Sequence, residues 1–131
     1  MSELMGIILA GVFYIALGMF WYSSAMFGKI WCKAKGFIHE DMQNKKMPLH
    51  AMVKAIINAL SIAIILSGGS YLLGISTLEQ NLIFAVIIGI IVSTNEVSKY
   101  IWEQEKFVLV LLNSIYSILA YAGMLSIMFY V

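Results

Sequence analysis

An all-α fold, a bundle of four transmembrane helices, is what this sequence predicts, and three observations predict it. The 131-residue chain is 62% hydrophobic and only 11% charged, with a mean hydropathy of +0.92. A soluble domain this small exposes much of its surface and carries about 25% charged residues. Leu4 to Gly28, Ala55 to Leu78 and Phe107 to Val131 contain no charged residue, and Leu82 to Trp102 contains only Glu96 and Lys99. Roughly twenty apolar residues in a helix cross about 30 Å of hydrocarbon. The runs are continuous rather than alternating ten-residue pieces, which argues against a β-barrel.

Helices are expected at about 4–27, 51–74, 81–102 and 107–130, in one domain spanning 1–131, with a long loop at 28–50. The first segment opens with Glu3 instead of a basic stretch, and its apolar run is too long for a signal peptide core, so it reads as a retained helix. Pro48 suits the start of the second, because proline is tolerated where helical N–H groups have no partner. The third and fourth are joined by the tight turn "EQEK". Within 28–50 an amphipathic piece lying on the membrane is expected, with Ile30, Trp31 and Phe37 dipping in.

Lysines orient the bundle. Lys29, Lys33, Lys35, Lys45 and Lys46 lie in the first loop, Lys54 follows it, and Lys99 and Lys106 flank the third turn. The second connection has no lysine. The excess of basic residues on the cytoplasmic side of short loops puts loops one and three in the cytoplasm and both termini outside, in the inner or plasma membrane. Trp31 and Trp102 at the cytoplasmic ends, with Tyr71, Phe129 and Tyr130 at the other, fit aromatic belts.

Two pairs of segments resemble each other. "GMFWYSSAMFGKIW" (Gly18 to Trp31) aligns with "GIIVSTNEVSKYIW" (Gly89 to Trp102), and "NALSIAIILSG" (Asn58 to Gly68) with "NSIYSILAYAG" (Asn113 to Gly123). A parallel duplication of a two-helix hairpin would produce this pattern, and chance similarity between apolar segments is the competing explanation. Small residues recur as Ala85, Gly89, Ser93 and as Gly11, Gly18, Ala25, spacings that let helices approach closely within one chain or between copies.

The polar residues of the spans gather near the lysine-rich side. Tyr22 and Ser23, Lys54 and Asn58, Asn95 and Glu96, and Asn113 and Tyr116 all fall there, with the three asparagines roughly 8–10 Å below that interface. Buried amides and carboxylates need partners in a dry medium, and intramembrane ionisable groups face the bundle interior or a wet cavity. These eight residues therefore form a candidate cytoplasm-facing polar pocket, with Lys54 as counter-charge for Glu96 and Lys99 as the competing partner. Helix-to-helix hydrogen bonding is the plainer role for the same residues.

Other chemistry finds little support. All eight basic residues are lysine and the net charge is +1, so nucleic acid is not an expected partner. No phosphate-binding loop, zinc-protease or nucleophile-elbow pattern occurs, and no catalytic residue, cofactor or metal is expected. His39, Glu40 and Asp41 are adjacent, and adjacent side chains on a helix do not converge on one ion. Cys32, the single cysteine, reads as a reduced interfacial thiol, and the nine methionines read as packing filler.

The stretch "ALGMFWYSSAMFGKIWCKAKGF", Ala16 to Phe37, resembles the signature of the DUF1761 family through Gly18, Trp21, Tyr22, Ser23, Phe27, Gly28, Lys29, Trp31 and Gly36. The later segment from Ile91 to Leu125 is similar to the end of the same family. Many relatives have proline where this chain has Ser24, and arginine in the third turn where it has "EQEK". The resemblance implies a small prokaryotic integral membrane protein with four helices, and it supplies no activity. Two functions are carried forward. One is a transporter of a small solute or ion, acting as a homodimer or higher oligomer around the polar pocket. The other is a non-catalytic accessory or assembly module that uses the basic 28–50 loop on a partner or on membrane lipids.

Overall fold

The computed structural model describes residues 2–131, without the side chains of Ser2, Gln43 and Asn44. Its helices are α1 (Ser2–Trp21), α2 (Gly28–Lys35), α3 (His39–Asn44), α4 (Leu49–Leu72), α5 (Leu78–Trp102) and α6 (Phe107–Tyr130). No strand occurs among the described residues. The helices α1, α4, α5 and α6 are long and apolar enough to cross a membrane, which points to a multi-pass membrane protein. Their outward faces carry Ile56, Ile57, Ile64 and Ile65 on α4 and Ile83, Ile87, Ile90 and Ile91 on α5, all exposed. A helix apolar on its outer face as well as its inner one is suited to lipid rather than water.

The helix ends differ from the expected ones for local reasons. α1 stops at Trp21 instead of running to 27. Ser23 Oγ donates to the Phe20 carbonyl at 2.6 Å, and the Ser23 carbonyl accepts from the N–H groups of Met26 and Gly28. Serine offering its backbone this alternative competes with the helical ladder. α4 begins at Leu49, directly after Pro48, and ends in a Schellman turn: Gly74 N–H donates to Tyr71 and Ile75 N–H to Ser70. α5 starts at Leu78, earlier than expected, because Thr77 Oγ1 accepts from Gln80 N–H while Gln80 Oε1 accepts from Ser76 N–H. These reciprocal bonds satisfy donors that a helix start leaves free.

α6 is the central element. It packs along α5 on one side and along α1 on the other, and α1 in turn packs along α4. Ala10, Ala63, Leu66, Ala85, Ala120, Met124 and Leu125 form the buried core. The small-residue stripes serve this packing within the chain. A Cβ on Gly89 would meet Ile118 of α6, one on Gly11 would meet Leu60 of α4, and one on Gly18 would meet the Tyr116 hydroxyl.

α4 and α5 make little contact apart from their ends beside the connecting loop. There Ser70 Oγ donates to Asn81 Oδ1 at 3.0 Å, and Phe84 lies against Gly69. A two-fold relation between the hairpins α1–α4 and α5–α6 would make the α4–α5 contact equivalent to α1–α6. Only the second is built, so the packing does not express the symmetry that the sequence similarity suggested.

Candidate functional site

Polar side chains of α1, α5 and α6 meet at the lysine-rich end. Asn113 of α6 is their centre. Its Oδ1 accepts from the Tyr22 hydroxyl at 2.6 Å, and its Nδ2 donates to Glu96 Oε2 at 3.0 Å. Lys99 Nζ reaches the other Glu96 oxygen at 3.4 Å. One residue before Asn113, the Leu112 carbonyl accepts from Trp21 Nε1 at 3.2 Å. One turn after it, the Tyr116 hydroxyl donates to the Tyr14 carbonyl at 2.7 Å. Burial, reinforced by the negative Glu96 nearby, pushes the Tyr22 phenol up, so it stays protonated and remains the donor.

Of the eight residues expected in one pocket, Tyr22, Glu96 and Asn113 are brought together, with the Tyr116 ring tilted against Tyr22 at 5.5 Å between ring centroids. Ser23 is used by its own turn. Lys54, Asn58 and Asn95 stand exposed outside the network. The expected Lys54–Glu96 pair is therefore corrected to Lys99–Glu96. The cause is the placement of α4, which lies along α1 and not along α5, so a lysine three residues on in the same helix is nearer than one on α4. Lys99→Met should cost at most about 1 kcal/mol, because its side chain is 39% exposed, whereas Lys54→Met should leave stability unchanged. Thermal unfolding of the two variants in detergent checks this.

Asn58 and Asn95 have a relation of their own. Counting about three turns (~16 Å) from Gly69 back along α4 reaches Asn58, and the same count from Phe84 forward along α5 reaches Asn95. Gly69 and Phe84 touch. The count sets the two amides at one depth, on the helix faces that carry Gly69 and Phe84. At the end beside the α4–α5 loop, the buried Asn81 accepts from Ser70 and donates to the Thr77 carbonyl at 3.0 Å. Asn81 was not singled out from sequence, although the Thr77 cap four residues earlier marks it as the first inward-facing amide of α5.

Residues 5–129 match the family model described as "Protein of unknown function (DUF1761)". The chain belongs to the DUF1761 family. No match was found among curated proteins or among solved structures.

This DUF1761 chain has a second feature that the sequence did not reveal. The α1–α2 turn, α2 and α3 border an open cavity of about 630 Å³ lined by Tyr22, Ser23, Ser24, Trp31, Cys32, His39 and Met42. Gly36, at φ 81°, caps α2 in the left-handed region that suits glycine, and Phe37 N–H donates back to the Cys32 carbonyl. This reversal brings His39 Nδ1 to 3.6 Å from the sulfur of the buried Cys32. The other imidazole nitrogen is buried with no hydrogen-bond partner among the described residues. A Lys35–Glu105 ion pair at 2.8 Å ties α2 to the α5–α6 turn. Among the described residues no three His, Cys, Asp or Glu side chains cluster as a metal site.

Proposed function

We propose that this protein carries a small polar solute or ion through the gap between α4 and α5, with the lysine-rich end in the cytoplasm and both termini outside. One observation carries the reading. Asn58 and Asn95 are exposed, and counting turns from the Gly69–Phe84 contact sets them at one depth on the faces of α4 and α5 that carry it, with the two helices bridged by Ser70 and Asn81 near their shared loop and in little contact elsewhere. Unpartnered amides at membrane depth are costly unless water or a solute reaches them. Two helices joined at one end and apart along the rest of their length suit one state in alternating access. The lysine distribution supports the orientation. A 131-residue chain leaves this gap open to lipid along its side, so a homodimer or higher oligomer is part of the proposal.

Flux into proteoliposomes, measured across a panel of alkali cations, protons, small anions and neutral solutes, tests it. Wild-type protein should move at least one of them, and Asn58→Leu with Asn95→Leu should cut the rate about tenfold or more while leaving the Tyr22–Asn113–Glu96 network intact. No flux across the panel would sink it. The accessory-module reading would then lead. It is favoured by the exposed Ile38, Met47 and Leu49 beside Lys45 and Lys46, an apolar and basic surface to which a partner would crosslink.

A further inference from the structure

The cavity beside α3 lies apart from the α4–α5 gap and holds three soft or borderline donors: the Cys32 sulfur, the His39 imidazole and the Met42 thioether. We propose that it is a binding site for cuprous copper, Cu(I). The argument starts from spacing. Metal bonds of about 2.3 Å to sulfur and about 2.0–2.1 Å to imidazole nitrogen place two donors on one ion roughly 3.5–3.8 Å apart at tetrahedral to trigonal angles. Cys32 Sγ and His39 Nδ1, a thiol–imidazole hydrogen-bonded pair here, stand 3.6 Å apart, the separation that one shared ion would set. Met42 follows His39 by three residues on α3, which puts both on one face of that helix and on the wall of the same cavity.

Donor type then selects the metal. Thiolate and thioether sulfur favour Cu(I), whereas structural zinc asks for four N, S or O ligands. The described residues offer no third His, Cys, Asp or Glu here; Glu40 and Asp41 are exposed on other faces of α3. On the orientation proposed above, the thiol faces a reducing cytosol and stays reduced, the condition under which cuprous ion persists. Binding replaces the thiol proton: the sulfur–hydrogen bond breaks, a sulfur–copper bond forms, and the proton leaves to solvent with no change in oxidation state. The same pair has the make-up of a nucleophile and its base. Catalysis of that kind needs a third group to orient the imidazole, and a metal-bound histidine likewise donates its other N–H; the remaining ring nitrogen has no partner among the described residues, so the sulfur donors decide between the two.

The test titrates the purified full chain, in detergent under anaerobic reducing conditions, with Cu(I) buffered by the coloured chelator bicinchoninate. Wild-type protein should withdraw one equivalent and unfold at a higher temperature when loaded. Cys32→Ser and His39→Gln should each weaken binding by about 100-fold and abolish the thermal shift. Met42→Leu, at an exposed position, should weaken binding by about tenfold. Comparable unfolding temperatures of the copper-free proteins show that the variants fold. Two outcomes overturn the proposal: wild-type protein that takes no copper from the chelator, or a Cys32→Ser/His39→Gln double variant that takes as much as wild type. X-ray absorption of the loaded protein should show both sulfur and nitrogen neighbours, and a sulfur-only shell would remove His39 from the site.

Discussion

Gly28→Ala should destabilise the protein by about 2–3 kcal/mol, the upper range for a methyl group forced into filled space. A Cβ on Gly28 would meet the Tyr22 carbonyl oxygen, and the Ser23 carbonyl carbon and oxygen at 2.8 Å. All three are backbone atoms of a turn locked by its own hydrogen bonds. Ser23 O accepts from Gly28 N–H at 2.8 Å and from Met26 N–H at 3.1 Å, and Trp21 O accepts from Phe27 N–H at 3.1 Å. Moving the turn to admit a methyl group breaks those bonds and carries Tyr22 away from Asn113. Gly68→Ala is the matched control. Nothing lies within 4 Å of a Cβ there, so removing a glycine from a helix interior should be neutral or stabilising by up to about 1 kcal/mol. Reversible unfolding of both variants in mixed micelles measures the difference, and a Gly28→Ala protein as stable as wild type would mean that the turn is not built this way.

That turn also marks where the sequence was hard to read. The four long helices were legible because a bilayer demands long uncharged stretches, and such stretches are hard to mistake. Their ends obey weaker, local chemistry. The residues from Tyr22 to Phe27 are apolar enough to prolong α1, and only the back-bonding Ser23 shows that they do not. The early start of α5 was written in Thr77 and Gln80, a cap that the hydropathy pattern hides.

Partner choice was less legible than depth. Glu96 and Asn113 stand out as polar groups in apolar helices, and the structure joins them. Whether Lys54 or Lys99 completes the pair depends on which helices are neighbours, a tertiary fact that spacing alone does not contain. The proximity of Cys32 and His39 was invisible for a related reason. On one continuous helix residues seven apart share a face but stand about 10 Å apart along the axis, and the chain reversal at Gly36 is what brings them together.

Asn113→Leu is expected to have the largest effect within the polar network, about 2–3 kcal/mol. Leucine removes both the acceptor of the Tyr22 hydroxyl and the donor to Glu96. Glu96 is only 13% exposed and would keep just the longer contact to Lys99. A buried polar group left without a partner costs about 1–3 kcal/mol. Hydrogen bonds between membrane helices average nearer 0.6 kcal/mol, because the separated helices also find partners. A charged acceptor places the Asn113–Glu96 bond above that average, so a double-mutant cycle with Glu96→Leu should return a coupling of about 1–2 kcal/mol. The double variant should be more stable than the sum of the single losses implies, since no carboxylate then remains to be solvated. Asn113→Asp should be worse than leucine, because it sets a second carboxylate against Glu96. A coupling below about 0.5 kcal/mol, the scatter expected of independent sites, would show that Asn113 and Glu96 do not share this bond.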